Sequence, residues 1–186
     1  MAEAPAEAAA ASAPVARERK IVGPIRLRAK VVHGFGRGSK VLGFPTANME
    51  VKWGADQSSE ALEPHERDIL KFAQECETGV YYAWAQVVGG KDCGVYKVAM
   101  SVGWNPTFND VKEKTIEPWI LHDFDDDFYD CELRLIVCGY VRPERKFSFE
   151  ELVDAIRADG EFCKDALDAP EVAPLAQDSF FELTEG

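Results

Sequence analysis

The sequence lacks several features that would assign it at once to a large class of proteins. It has no run of about 20 apolar residues, the length that a membrane-spanning helix requires. It also lacks the basic-then-apolar start of a secretory signal. Positive charge is scarce, because 21 Lys and Arg stand against 33 Asp and Glu for a net charge of −12. An acidic chain repels polyanions, so we expect no nucleic-acid partner and no membrane association.

Signals for metal clusters and disulfides are also scarce. The three histidines have none of the short spacings that put two imidazoles on one metal. The five cysteines are an odd number without a C-x-x-C pair, which indicates neither a disulfide framework nor a zinc ribbon. We therefore expect reduced thiols.

The chain is predicted to hold one domain behind a tail. Its 186 residues, 46% of them hydrophobic, suit a single globular core. Residues 1–20 are mostly Ala with interspersed Glu and Pro, so they are predicted to be a disordered tail, and residues 21–186 the domain. Glu3 and Glu7 argue against a transit peptide, which favours a cytoplasmic protein over the organelle alternative.

Alternating and β-branched segments predict a sheet. Apolar residues alternate with basic ones from Ile25, as in a half-buried strand. Further strands are predicted over residues 79–88, 94–102, 115–121 and 131–141. Gly89-Gly90 is typical of a hairpin turn between the first two of these. Because few helical segments intervene, the sheet is predicted to be antiparallel and closed into a small barrel.

Two helices are predicted. Ser148 and Glu151 form a capping box, which predicts the start of a C-terminal helix packed on the barrel. Its approximate apolar stripe is predicted to consist of Leu152, Ile156 and Leu167, with Phe162 or Cys163 between them. The other helix runs from about Pro64 to Cys76 in an acidic insertion, residues 54–77. The acidic run 123–127 is predicted to be a solvated turn, since it lacks the spacing of a calcium loop.

A glycine-rich segment follows the first strand. Gly34, Gly36 and Gly38 alternate with other residues, and Arg37 and Lys40 add positive charge. Glycines let backbone N–H groups approach an anion, so the segment is interpreted as a phosphate cradle, with a mobile hairpin connection as the alternative. It is not a Walker A loop, which requires Gly immediately before the Lys.

The residues after this segment are suited to a hard metal ion. Pro45 restricts the backbone ahead of Thr46-Ala47-Asn48, and residues two apart in an extended chain point the same way. The Thr46 hydroxyl and the Asn48 amide oxygen are therefore predicted to converge. Mg²⁺ is commonly held by few protein groups together with waters and substrate phosphates. A turn with local Thr and Asn hydrogen bonds is the alternative.

The run from Gly36 to Asn48 resembles the signature of eukaryotic-type riboflavin kinases. Matching motifs follow in order over about residues 22–183: GVYY at 79–82, SVGWNP at 101–106, TIE at 115–117, DFY at 127–129 and GYVRPE at 139–144. The resemblance implies a mainly β fold, a six-stranded antiparallel Greek-key barrel with a C-terminal helix packed on it. No length remains for a second catalytic domain, so we expect a single-function kinase.

The resemblance also implies the reaction and its residues. ATP and riboflavin are the expected substrates, FMN and ADP the products, and Mg²⁺ the cofactor, with Zn²⁺ or Mn²⁺ as alternatives. Glu117 is implied as the catalytic base and Thr46 and Asn48 as metal ligands. The implied ATP-binding residues are Gly34, Lys40, Thr46, Asn48, Ile120, His122 and Tyr129. The implied flavin-binding residues are Arg142, Arg145 and Phe147. Partners are expected to be small molecules, and the chain a monomer.

Two positions depart from the family pattern. Pro118-Trp119 follows Glu117 where relatives usually carry a polar residue and a histidine, and Arg145 stands where Lys is common. Guanidinium and ammonium are not interchangeable donors, so the second departure bears on flavin binding. Two other functions were weighed: a barrel that binds a flavin or nucleotide without turnover, and an oligonucleotide-binding barrel, which the net charge opposes.

Overall fold

The computed structural model describes residues 15–34, 43–55, 61–104 and 113–183, and these contain six β-strands and two α-helices. The elements in chain order are β1 (Lys20–Val32), β2 (Asn48–Met49), α1 (Pro64–Glu75), β3 (Gly79–Val88), β4 (Val95–Trp104), β5 (Lys114–Ile120), β6 (Glu132–Pro143) and α2 (Phe149–Leu167). Short 3-10 helices at Ala173–Gln177 and Ser179–Phe181 follow. Neither α-helix in these residues combines the length and the apolar composition that a membrane crossing requires.

The strands form one antiparallel sheet in the order β2-β1-β6-β3-β4-β5. Its two ends approach each other where the Ala47 N–H donates to the Pro118 carbonyl at 2.8 Å, which nearly closes a barrel. The last strand, β6, returns to lie between β1 and β3, a Greek-key type of connection. The predicted six-stranded antiparallel barrel with a C-terminal helix is thus confirmed.

The first strand begins earlier than the alternation from Ile25 predicts. It starts at Lys20, and its register against β6 shifts between Ile21 and Ile25. Pro24 lies inside this shift, where its lack of an N–H is tolerated because the pairing is broken. The same break interrupts the alternation of apolar and polar residues, so the sequence does not show that the strand begins earlier. Residues just before the strand also contact the domain, since the Glu18 N–H donates to the Val141 carbonyl at 2.9 Å.

Two apolar clusters hold the molecule together. One fills the barrel, and the other lies between the outer face of the sheet and α2 with the C-terminal segment. Alternate residues of β3 serve the two clusters: Tyr81 and Ala83 point inward, whereas Tyr82 and Trp84 point outward. Helix α1 covers part of the barrel through Ile69, Phe72 and Ala73, as the sequence predicts.

Helix α2 begins with the predicted capping box, since the Glu151 N–H donates to the Ser148 hydroxyl and the Ser148 N–H to the Glu151 carboxylate. The predicted stripe is only partly buried, because Cys163 and Leu167 are buried whereas Leu152, Ile156 and Phe162 are half-buried. The buried residues are Ala155, Asp159, Gly160, Cys163, Ala166 and Leu167. Most of these side chains are small, which lets the helix lie close to the sheet.

Candidate functional site

Gly34 and Asn48, two predicted nucleotide ligands, lie against each other. Asn48 pairs with Val32 at the end of β1, two residues before Gly34. A Cβ on Gly34 would overlap the Asn48 side chain, with its Cγ at 2.7 Å. Glycine is therefore required here for the close approach of the backbone to the amide. The third ligand of this group, Lys40, lies outside the described residues.

Thr46 and Asn48 carry the oxygens predicted to hold a metal. The residues between and after them, Ala47 and Met49, are buried, whereas Thr46 and Asn48 are half-buried. This alternation turns both oxygens away from the core on one side of the segment. In the described residues no group of three or more His, Cys, Asp or Glu side chains is arranged to hold a metal ion. The hydroxyl and amide oxygens fit a hard cation whose other ligands are phosphates and waters.

Glu117 lies on the outer face of β5. The strand alternates, with Ile116 and Ile120 packed inside the barrel and Glu117 half-buried on the other face. Within the described residues its carboxylate forms no hydrogen bond and no ion pair. The hydrogen bond from Ala47 to Pro118 sets the Thr46-to-Asn48 segment directly beside it. A carboxylate that has no partner among the described residues and lies next to the segment bearing the Thr46 and Asn48 oxygens is suited to accept a proton.

Glu117 and Arg142 stand in one row across four strands. Glu117 is opposite Ser101, Ser101 is opposite Val80, and Val80 is opposite Arg142. Directly opposed residues of antiparallel strands project to the same face. Neighbouring strands are about 4.8 Å apart, so the two ends of the row are separated by about 14 Å. We call these four residues the four-strand row.

The Arg142 end of the row carries the residues predicted to bind the flavin. Arg142 is 7% exposed and donates through Nε to the Asp159 carboxylate at 2.9 Å. Arg17 donates through Nε to the same carboxylate at 2.8 Å. The guanidinium groups of Arg142 and Arg145 lie 5.3 and 5.7 Å from the centre of the Phe147 ring. The three predicted residues are therefore brought together around one aromatic ring.

Asp159 is a residue that sequence reasoning missed. It is 4% exposed, and two arginines far apart in sequence share its carboxylate. A charge on the buried face of a helix is uncommon unless it is paired, so its helical position in phase with Ala155 and Cys163 is the signal available in the sequence. Its partners cannot be identified without the fold.

His122 and Tyr129 occupy two linked aromatic contacts. The His122 ring stacks on Tyr96 with centroids 3.8 Å apart, and its Nε2 lies 2.9 Å from the Asp92 carboxylate. Hydrogen bonds from the Gly94 N–H and the Tyr96 hydroxyl, and then from His122, hold the pKa of Asp92 below its usual value. A carboxylate that stays ionised keeps this arrangement fixed.

Tyr129 lies beside the glycine-rich segment. Tyr129 is 40% exposed, and its ring stacks on that of His33 with centroids 3.7 Å apart. His33 immediately precedes Gly34 in the sequence. Phe124 and Phe128 connect this contact to His122. Ile120 is 5% exposed, and its side chain packs inside the barrel.

Trp119, which departs from the family pattern two residues after Glu117, packs against α2. A Cβ on Gly160 would lie 2.5 Å from the Trp119 ring, so the indole sits directly on this glycine. The ring also meets Phe44 edge-on at 4.9 Å, just ahead of Pro45 and Thr46. Trp119 thus connects three elements: β5, which bears Glu117, the chain just before the Thr46-to-Asn48 segment, and α2.

A cavity of about 550 Å³ lies elsewhere, between β1, α1 and Tyr140. It is lined by Phe72 and Tyr81 with charged residues at its edge, and it includes none of the predicted site residues. Among the described residues, Glu117 and Arg142 lie instead on the outer face of the barrel.

Comparisons with known proteins point to one family. A family model described as "Riboflavin kinase" matches residues 22–167. The chain is 41% identical over 164 residues to a riboflavin kinase of Mus musculus, covering 88% of this chain and 94% of that protein. It is 47% identical over 160 residues to a bifunctional riboflavin kinase/FMN phosphatase of Arabidopsis thaliana, covering 86% of this chain but 37% of that protein. The crystal structure of riboflavin kinase from Trypanosoma brucei superimposes with a TM-score of 0.63 at 33% identity, covering 87% and 90% of the two chains.

Proposed function

Because this chain belongs to the riboflavin kinase family, we propose that its four-strand row and the Thr46-to-Asn48 segment carry out the ATP-dependent phosphorylation of riboflavin to FMN. The observation that carries this assignment of residues is the register that aligns Glu117 with Arg142 on one face of the sheet.

Glu117 is proposed as the base. The terminal ribityl oxygen forms a bond to the γ-phosphorus of ATP, the bond from that phosphorus to the β-phosphate oxygen breaks, and ADP leaves. The hydroxyl proton passes to the Glu117 carboxylate as the new bond forms. Phosphoryl transfer requires mainly positioning and neutralisation of charge, so one available carboxylate is sufficient.

Gly34, Lys40, Thr46 and Asn48 are proposed to bind the ATP phosphates. Thr46 and Asn48 would hold Mg²⁺, with Zn²⁺ or Mn²⁺ as alternatives, and the bound ion would neutralise charge on the phosphates. Ile120, His122 and Tyr129 are proposed to contact the nucleotide. Support comes from the close approach of Gly34 to Asn48 and from the partly exposed Tyr129 ring beside it.

The flavin is proposed to bind at the other end of the row, on Arg142, Arg145 and Phe147. Asp159 accepts from Nε and Nη2 of Arg142, so Arg142 is oriented by the protein before any ligand arrives. Arg145 is exposed and offers a planar cation at the position where Lys is common in the family. We propose a cytoplasmic monomer that acts on these small molecules.

The test is to compare the wild type with Glu117→Gln in single-turnover reactions with riboflavin and ATP. We expect wild-type protein to give riboflavin 5′-phosphate and ADP in equal amounts, and the variant to bind both substrates with little product. Tight binding of riboflavin by the wild type without any phosphorylated product would support the alternative of a binding barrel.

A further inference from the structure

We infer that Ser101 binds the ribityl chain of riboflavin and sets the specificity for a flavin that carries it. This inference rests on the proposed function, because it assumes that the flavin ring lies near Arg142 and the reacting hydroxyl near Glu117. The ribityl chain must then pass the two residues between them, of which Val80 is buried and Ser101 is exposed.

The register places Ser101 next to the proposed base. Ser101 and Glu117 are directly opposed in the β4-β5 pair, where Cβ atoms are about 4.5–5.5 Å apart. Val80, on the other side, is 8% exposed and has no polar side-chain atom. Ser101 therefore supplies the one hydroxyl of the four-strand row.

The sheet becomes accessible at Ser101. One step before it on the same face of β4, Ala99 is 7% exposed beneath α2, whereas Ser101 is exposed. The next residue on this face is Gly103, where a Cβ would lie 3.3 Å from the Glu144 carboxylate. Gly103 itself carries no side chain, but the Glu144 carboxylate lies over it, so the exposed surface at this point of β4 is that of Ser101.

The chemistry of Ser101 matches a polyol. Its hydroxyl both donates and accepts, as do the secondary hydroxyls of a ribityl chain. Within the described residues the Ser101 side chain forms no hydrogen bond, so its hydroxyl is not used to hold the fold. One neutral hydrogen bond contributes about 0.5–1.5 kcal/mol, so its loss should weaken binding by about 2- to 13-fold.

The experiment compares riboflavin with lumichrome, the alloxazine tautomer of the same fused rings without a ribityl chain, on Ser101→Ala and Ser101→Thr. We expect Ser101→Ala to raise the KM for riboflavin by about 2- to 13-fold, with the KM for ATP and the inhibition constant of lumichrome unchanged. Ser101→Thr, which keeps the hydroxyl, should restore the riboflavin KM. Ser179→Ala removes an exposed hydroxyl far from the row and serves as the matched control.

Two outcomes would overturn the inference: an unchanged riboflavin KM in Ser101→Ala, or an equal loss of affinity for riboflavin and lumichrome, which would mean a structural role. Its failure is distinguishable from that of the proposed function. If the wild type forms FMN and Ser101→Ala behaves like it, only the role of Ser101 is wrong. If the wild type forms no FMN, the proposed function fails, and Ser101 is then tested by quenching of riboflavin fluorescence on binding.

Discussion

Individual side chains in and around the proposed site differ in how firmly the protein holds them. Asp92 is held by three hydrogen bonds, whereas Glu117 has no partner among the described residues. The proposed site therefore combines fixed groups that bind with one carboxylate that is available for proton transfer. Substitutions at the two kinds of group should have different consequences.

Substitution of the proposed base should affect turnover more than binding. Glu117→Gln keeps the size of the side chain but removes its basicity, so kcat should fall by about 10²- to 10⁴-fold. Dissociation constants for a non-hydrolysable ATP analogue should stay within about twofold of the wild type. Glu150→Gln, an exposed carboxylate at the start of α2, is the control. Normal turnover in Glu117→Gln would remove Glu117 from the mechanism.

Substitution of Asn48 should change the response to metal. Asn48→Ala deletes one of two proposed oxygen ligands, so a higher Mg²⁺ concentration should be needed for half-maximal activity. Asn48→Asp keeps an oxygen at the same place and should require less Mg²⁺ than the alanine variant. A metal titration of Asn48→Ala that overlays the wild type would contradict the assignment.

At the scale of elements, the attachment of α2 to the barrel depends on the buried carboxylate of Asp159. Asp159→Ala leaves Arg142 buried without its partner and should lower the free energy of unfolding by about 3–5 kcal/mol. Arg17→Ala should cost less, since the Arg17 side chain is 17% exposed and water can replace it. Urea denaturation measures both. Equal small losses would show that the pair does not hold the helix.

The contact of Trp119 with Gly160 can be tested by Gly160→Ala, which should destabilise the protein although Ala has the higher helix propensity. Gly→Ala inside a helix ordinarily gains up to about 1 kcal/mol. At Gly160 the new Cβ would lie 2.5 Å from the indole, so we expect a net loss of about 1–3 kcal/mol. Adding Trp119→Ala should remove part of that loss in a double-mutant cycle. Additive effects of the two substitutions would contradict a direct contact.

The elements themselves were largely predictable, because local patterns determine them. The predicted strand over residues 79–88 coincides with β3, and the capping box at Ser148 correctly marks the start of α2. The early part of β1 was missed because Pro24 interrupts the alternation. The predicted buried face of α2 was right at Cys163 and Leu167. It was wrong at Leu152 and Ile156, because close packing on the sheet favours the smaller Ala155 and Gly160.

The resemblance in the sequence supplied the proposed site as a list of residues, whereas their arrangement required the structure. The resemblance named Glu117 and Arg142 without indicating how they face each other. Their alignment depends on three strand pairings between segments distant in sequence, and pairing register is not encoded in any one segment. The same is true of Asp159, whose role depends on Arg17 and Arg142 meeting it in space.

At the scale of the whole molecule, the buried thiols should make the protein less stable at alkaline pH. Burial raises the pKa of Cys138 from 9.0 to about 12 and raises that of Cys163 as well. A raised folded-state pKa contributes stability below the unfolded pKa, and this stability is lost as pH rises through the window from about 9 to about 12. We expect the free energy of unfolding, measured in urea, to fall between pH 8 and pH 10.

The control for this prediction is Cys138→Ala. It loses packing at every pH, but its stability should fall less steeply with pH than that of the wild type. Identical slopes for the two proteins would show that the Cys138 thiol does not contribute to the alkaline loss.

The central claim is that this acidic barrel, with a net charge of −12, phosphorylates riboflavin by holding ATP with a metal ion beside Glu117. The most direct measurement is chromatographic analysis of purified protein incubated with riboflavin, ATP and Mg²⁺, with and without a chelator. We predict FMN and ADP in equal amounts, with both lost on chelation and restored by excess Mg²⁺. Binding of riboflavin and ATP with no FMN under any metal condition would contradict the claim.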